Sequence, residues 1–274
     1  MLGVYAIVGT AQHGWGSAHT ILVAGAAVAL TVVFVARQAT VRTPLLPLRI
    51  FAVRNVTGAN LSQLLVIAAA FGFQVVITLY MQRVLGYGAA ASGLGLLPTA
   101  VVIGAVSLGL SARIAARFGQ RAMLLAGLVL IAAALALLTR LPVHASYAAD
   151  LFPPLLIFGI GGGLTLPALA SLGMSGATPD EAGLASGLFN TTQQIGAALG
   201  VAVLSTLAAA QASSLHASGT GSAAGYRLAF TTGTGLAVAA IIVTATVLRP
   251  RASAELRWPR LPRTRRDTPC HISD

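Results

Sequence analysis

The sequence predicts an all-α polytopic membrane protein, and three observations carry that prediction. The first is composition: 56% of the 274 residues are hydrophobic and 8% are charged, with a mean hydropathy of +0.84. That is too little charge to cover a soluble surface. The second is the grouping of apolar residues into runs of about 20, the length a helix needs to cross the hydrocarbon core. The third is that the charges fall between these runs. A net charge of +11 could point to nucleic acid, but such binders set their charges on a folded face or along a helix among stacking aromatics. The single cysteine, Cys270, can support neither a disulfide framework nor a metal site.

Met1 to Thr10 is apolar but too short to span, as if a helix were entered halfway. His13 and Trp15 follow in a turn, where Trp suits the headgroup level. Thr20 to Ala36 is the first full crossing expected. Pro44 and Pro47 interrupt the next, Arg-bearing segment, because proline lacks an amide donor and restrains its predecessor. Val56 to Tyr80 is a span with a stripe: Asn60, Gln63, Ile67, Phe71, Gln74 and Thr78 recur at steps of three and four and share one face. In hydrocarbon that face must turn toward protein or a water-filled cavity. Gly93 to Leu110 and Ala122 to Leu138 are the next two crossings, with Arg113, Arg117 and Arg121 in the turn between them.

Leu151 to Leu172 returns, and Gly159, Gly161, Gly162 and Gly163 ahead of Pro167 predict a bent or locally broken helix. Pro179 to Leu207 holds the following span. It is polar at its middle (Asn190, Gln193, Gln194) and has Gly183 with Gly187 and Gly196 with Gly200, a spacing that lets another helix approach closely. Gln211 to Gly225 is expected to be a flexible loop, and Leu228 to Leu248 the last span. Seven complete crossings and a remnant result. Placing the Arg37 to Arg54 loop, the Arg113 to Arg121 turn and the tail in the cytoplasm puts fourteen of the seventeen arginines inside, as the positive-inside rule requires.

Several stretches resemble the carboxyl half of a major facilitator superfamily transporter of the fourteen-helix drug:proton antiporter branch (EmrB/QacA type). They are Ala182 to Gln194 with Gly196 and Gly200, then Gly86-Tyr87, Ser92-Gly93 and Leu96-Leu97-Pro98, and Thr43 to Leu48 with Phe51. Ala112 to Arg121 is similar to the superfamily's cytoplasmic gating motif, Gly-x-x-x-Asp-Arg-x-Gly-x-Arg. Ala112 and Ala116 replace its first Gly and its Asp, leaving Arg113, Arg117, Gly119 and Arg121 as a remnant that a plain inside-facing turn explains equally well.

The resemblance implies a six-helix carboxyl-terminal bundle over 55–248, formed of two inverted three-helix repeats. Residues 1–54 hold a partial and a complete central helix with a cytoplasmic linker, and 249–274 an Arg-rich disordered cytoplasmic tail. It implies a multi-pass protein of the cell membrane that exports drugs or small lipophilic compounds by proton antiport. The amino-terminal bundle of such a transporter is not in this sequence. The expectation is therefore a truncated product, a wrongly assigned start, or one part of a split transporter. The partners implied are a small-molecule substrate, protons, the lipid bilayer and that bundle; no nucleic acid and no cofactor are implied.

Candidate substrate contacts are Asn60, Gln63, Phe71 and Gln74 on the striped span, and Asn190, Gln193 and Gln194 on the later one. Amides donate and accept without charge, which suits varied lipophilic molecules. The competing role is hydrogen bonding between helices. No span contains Asp or Glu; Asp150, Asp180 and Glu181 lie at helix ends and the other carboxylates in the tail. Proton coupling is therefore expected outside this chain. No catalytic triad, HExxH, P-loop or CxxC is present, so no enzyme chemistry and no metal site are expected. A permease or channel-like subunit energised by a separate partner is the alternative, with a receptor or scaffold a poorer fit.

Overall fold

The structure, a computed structural model, describes residues 54–142, 145–175, 182–214 and 221–248, with scattered positions between 18 and 37. The expected remnant at 1–10, the turn around Trp15, the proline segment, Asp180, Glu181 and the tail lie outside the described residues. So does most of the crossing expected at 20–36, whose described positions are helical and exposed.

The main elements are α1 (Arg54–Arg83), α2 (Ala89–Gly109), α3 (Ser111–Phe118), α4 (Gln120–Leu138), α5 (Phe152–Met174), α6 (Ala182–Ser214) and α7 (Gly221–Val247), with a π-helical turn (Tyr147–Leu151) leading into α5. Among the described residues there is no strand. Helix is what the bilayer demands, because each helix satisfies its own backbone polar groups where no water can. Among the described residues five helices are long and apolar enough to cross a membrane: α1, α2, α4, α5 with its π turn, and α7. The 33-residue α6 carries Asn190, Gln193 and Gln194 in its first half and a long apolar run from Ile195 onward.

Two expectations are corrected here. The α5 helix runs unbroken through Gly159 to Gly163 and Pro167, because those glycines serve close packing. A Cβ at Gly161 would stand 2.8 Å from the Gly127 carbonyl oxygen of α4, and one at Gly163 2.7 Å from Val106 of α2. The flexible loop expected over Gln211 to Gly225 is helical at both ends, up to Ser214 and from Gly221. Its middle, 215–220, lies outside the described residues.

The helices interlock as two exchanged triplets. The first helix of one triplet, α1, packs on α6 and α7; the first of the other, α5, packs on α2 and α4; and α4 meets α7. The α1–α6 pair is parallel and close: Gly196 lies over Leu64, Gly200 over Ala68, and Gly72 under Leu204. The α2–α5 pair repeats this with Gly159 beside Val102 and Gly163 beside Val106. Small residues permit such approach in membranes, where dispersion contacts replace the hydrophobic drive. A core of Phe73, Phe158 and Phe230 joins α1, α5 and α7, with ring centroids 4.4 Å apart for Phe73–Phe158 and 6.2 Å for Phe73–Phe230.

Donors at both ends tie the bundle together. Ser62 and Thr244 hydrogen-bond at 2.9 Å between α1 and α7. Arg121 Nη2 at the start of α4 donates to the Ala245 carbonyl of α7 at 2.7 Å. At the opposite end Arg227 Nη2 and Tyr80 Oη donate to the adjacent carbonyls of Leu141 and Pro142, each at 3.1 Å.

Candidate functional site: an amide-rimmed cavity between α1, α2 and α5

A cavity of about 460 Å³ opens between α1 and α2. Those two helices touch little, and α2 is held mainly by α5. A wedge therefore remains between them, walled by Phe71 and Ile103 and reaching inward to Phe158 and Gly162 of α5 and Ile131 of α4. Gln74 of α1 and Gln193 of α6 bring amides to it, and Thr99 and Thr165 are also among its lining residues. Among the described residues no titratable side chain lines it.

The striped face of α1 divides along its length. Phe71 and Gln74 are exposed and border the cavity. Asn60 and Gln63 are buried below it. Gln63 Nε2 donates to the Phe189 carbonyl of α6 at 2.9 Å, and Asn60 Nδ2 to the Val56 carbonyl of its own helix at 2.9 Å. Their side-chain oxygens, buried too, have no partner among the described residues. On α6, Gln193 reaches the cavity while Asn190 and Gln194 are exposed outside it. The structure thus brings Phe71, Gln74 and Gln193 together, and sets Gln63 in a contact between helices.

The four glycines of α6 also divide. A Cβ at Gly196 would stand 2.8 Å from the Leu64 carbonyl oxygen, and one at Gly200 would collide with the Ala68 backbone. At Gly183 and Gly187 a Cβ would meet nothing within 4 Å. These two share an exposed face with Ser186, Asn190, Thr191 and Gln194, spaced as one side of a helix.

Gly119 turns the chain between α3 and α4 at φ +83°, in the left-handed region that glycine adopts without strain. Arg113 and Arg117 are exposed, and the Arg117 guanidinium lies 5.4 Å from the Phe118 ring centroid. Among the described residues only Arg121 of this group hydrogen-bonds to another long helix, through Ala245. Asp150, at the start of α5, accepts from the Ser146 amide at 2.7 Å and does not border the cavity. Among the described residues no cluster of His, Cys, Asp or Glu could hold a metal.

Missing from the sequence reading are Thr99 and Thr165. A single hydroxyl in an apolar run carries no periodic signal, and threonine in a helix ordinarily bonds its own backbone.

The fold and the cavity define a class: a multi-pass helical membrane bundle with a wedge-shaped, uncharged, amide-bearing chamber. The chain belongs to the Major Facilitator Superfamily, whose family model matches residues 1–201. It is 37% identical to the cephamycin export protein CmcT of Amycolatopsis lactamdurans, over 72% of this chain and 41% of that protein. Its identity to the puromycin resistance protein pur8 of Streptomyces alboniger is 32%, over 74% and 41%. With the lincomycin resistance protein LmrB of Listeria innocua it shares 30%, over 76% and 44%. The chain thus spans about 40% of the length of these relatives.

Proposed function

We propose that this chain acts in an exporter of drugs or small lipophilic compounds, driven by proton antiport across the cell membrane. The cavity between α1, α2 and α5 is its contribution to the substrate path. The observation that carries the reading is that chamber: about 460 Å³, walled by aromatic and aliphatic side chains, with Gln74 and Gln193 presented to it. Apolar surface with a few neutral polar groups holds lipophilic molecules without demanding one shape. The similarity to export and resistance proteins supports the same reading.

The exposed face of α6, with Asn190 and Gln194, adds a second support. Amides are costly against lipid, so this face is read as turned to water or to a further bundle of the same transporter. In such transporters the substrate sits near the midplane and is exposed alternately as one bundle rocks against the other. Asn60 and Gln63 then serve substrate indirectly, by holding α1 on α6. The tail is assigned to the cytoplasm by the arginine distribution. Asp150 is the lone carboxylate among the described residues and borders no cavity, so proton exchange is placed on residues beyond them.

The test is dye efflux from cells expressing the chain from its native locus, with and without the protonophore carbonyl cyanide m-chlorophenylhydrazone. Accumulation of Nile red should fall when the locus is present and rise again when the proton gradient is collapsed. Efflux indifferent to the protonophore but dependent on ATP would favour the permease reading instead.

A further inference from the structure

Arg113 and Arg117 on α3 and Arg121 at the start of α4 stand close together, and residues 108–121 contain no carboxylate. The short helix α3 is two-sided. Ser111 is buried and Ile114 and Ala115 pack on the core, while Arg113, Ala116 and Arg117 are exposed. Arg113 and Arg117 are one turn apart on that outer face, and neither has a hydrogen bond or ion pair among the described residues. Like charges at this spacing repel and weaken a helix, unless an anion stands over them. The Phe118 ring is 63% exposed beside them, with the Arg117 guanidinium 5.4 Å from its centroid.

The joints of α3 hold it at the membrane surface. Leu110 alone separates it from α2 and Gly119 alone from α4, and both neighbours are long and apolar enough to cross a bilayer. Ser107 Oγ donates to the Gly163 carbonyl of α5 at 3.1 Å just before the first joint, and Arg121 bonds Ala245 of α7 just after the second. Three apolar helices have their ends here: α2 at Gly109, α4 at Gln120 and α7 at Val247. Hydrocarbon therefore gives way to headgroups at this level, on whichever side of the membrane it lies. Basic residues there are attracted to anionic lipid. An acidic water-soluble segment would satisfy the cations and leave the Phe118 ring bare, whereas a phospholipid brings both a phosphate and acyl chains.

We infer that α3 is a binding site for an anionic phospholipid, whose phosphate is held by Arg113 and Arg117 and whose acyl region lies against Phe118. Guanidinium groups suit this role, since they match phosphate geometry and are weakly hydrated. The site does not depend on the cavity between α1, α2 and α5 being a substrate path.

The experiment compares amide hydrogen exchange of the protein, purified from cells expressing the chain from its native locus, in two kinds of nanodisc: phosphatidylcholine alone, and phosphatidylcholine with an equimolar amount of phosphatidylglycerol. Residues 111–118 should exchange about tenfold more slowly in the phosphatidylglycerol discs, the worth of two surface arginines on anionic lipid. Arg113→Gln/Arg117→Gln should lose that slowing and keep its thermal midpoint in lipid-free detergent. Arg113→Lys/Arg117→Lys, which preserves the charge, should retain most of the slowing. Reading α3 alone separates this site from the arginines of 249–266, which every variant carries. Equal exchange in the two discs overturns the inference, as does slowing that persists in the glutamine variant or vanishes in the lysine one. A lowered midpoint of the glutamine variant in lipid-free detergent also overturns it, because the arginines would then hold the fold directly. Soluble glycerol phosphate added to the phosphatidylcholine discs should change nothing; slowing equal to that of phosphatidylglycerol would mark a site for free anions and overturn the lipid assignment.

Discussion

Gly200 of α6 lies directly on the backbone of Ala68 in α1, with no room for a side chain between them. The contact fixes how closely the two parallel helices run, and with Gly196 over Leu64 it sets their register. Register in turn places Gln193 at the cavity and Gln63 under the Phe189 carbonyl. Gly200→Val should therefore separate the pair, at a cost of about 3 kcal/mol or more from overpacking against rigid backbone. Folded yield after detergent extraction, read by size-exclusion chromatography, should collapse. Gly187→Ala, in open surroundings, should leave that yield intact or raise it slightly, since alanine favours helix over glycine.

Gln63 and Gln74 sit three turns apart on one stripe yet should answer substitution differently. Gln63→Leu removes the α1 donor of the partly buried Phe189 carbonyl of α6, a loss of about 0.5–1.5 kcal/mol. Thermal unfolding in detergent should show a lower midpoint. Gln74→Leu removes no hydrogen bond among the described residues and fills the cavity rim with apolar surface. Its midpoint should hold while the selectivity of efflux among dyes changes. Equal destabilisation by both would remove Gln74 from the substrate path.

Within the arginine turn the effects should be as unequal. Arg121 is bonded to Ala245 across the α4–α7 contact at 2.7 Å. Arg121→Ala should cost about 1.5–3 kcal/mol, the range for a hydrogen bond from a charged donor. Arg117→Ala, at an exposed position, should stay within about 0.5 kcal/mol of the unaltered protein. The comparison is made by thermal melts of the three proteins in one detergent. An equal loss from Arg117→Ala would point to a contact beyond the described residues.

The spans and the shared face of Asn60, Gln63, Phe71 and Gln74 were legible because apolar length and a period of 3.6 residues are properties of sequence. What covers that face at each height was not, because it depends on where α6 crosses α1. The crossing is set by Gly196 and Gly200 meeting Leu64 and Ala68, far apart in the chain. The same reason explains α5: its glycines could loosen a helix or admit a neighbour, and only Gly127 and Val106 opposite them decide between the two. The unpaired hydroxyls of Thr99 and Thr165 were illegible, since their state is a matter of hydrogen-bond geometry rather than residue type.

Tyr147, in the π-helical turn ahead of α5, donates its hydroxyl to the Gly95 carbonyl of α2 at 2.7 Å, and its ring stands 6.2 Å from Phe152. Helix α2 has little hold on α1 and forms one wall of the cavity. The bond therefore secures the Gly93 to Leu97 end of that wall. Tyr147→Phe deletes only the hydroxyl, so the bundle should lose about 1 kcal/mol and retain its fold. The sensitive measurement is amide hydrogen exchange: residues 89–97 should exchange faster than in the unaltered protein, while the α1 core around Phe73 keeps its protection. Faster exchange throughout α1 and α5 would mean that the tyrosine supports the whole bundle, and unchanged exchange at 89–97 that α2 is held by its packing on α5 alone.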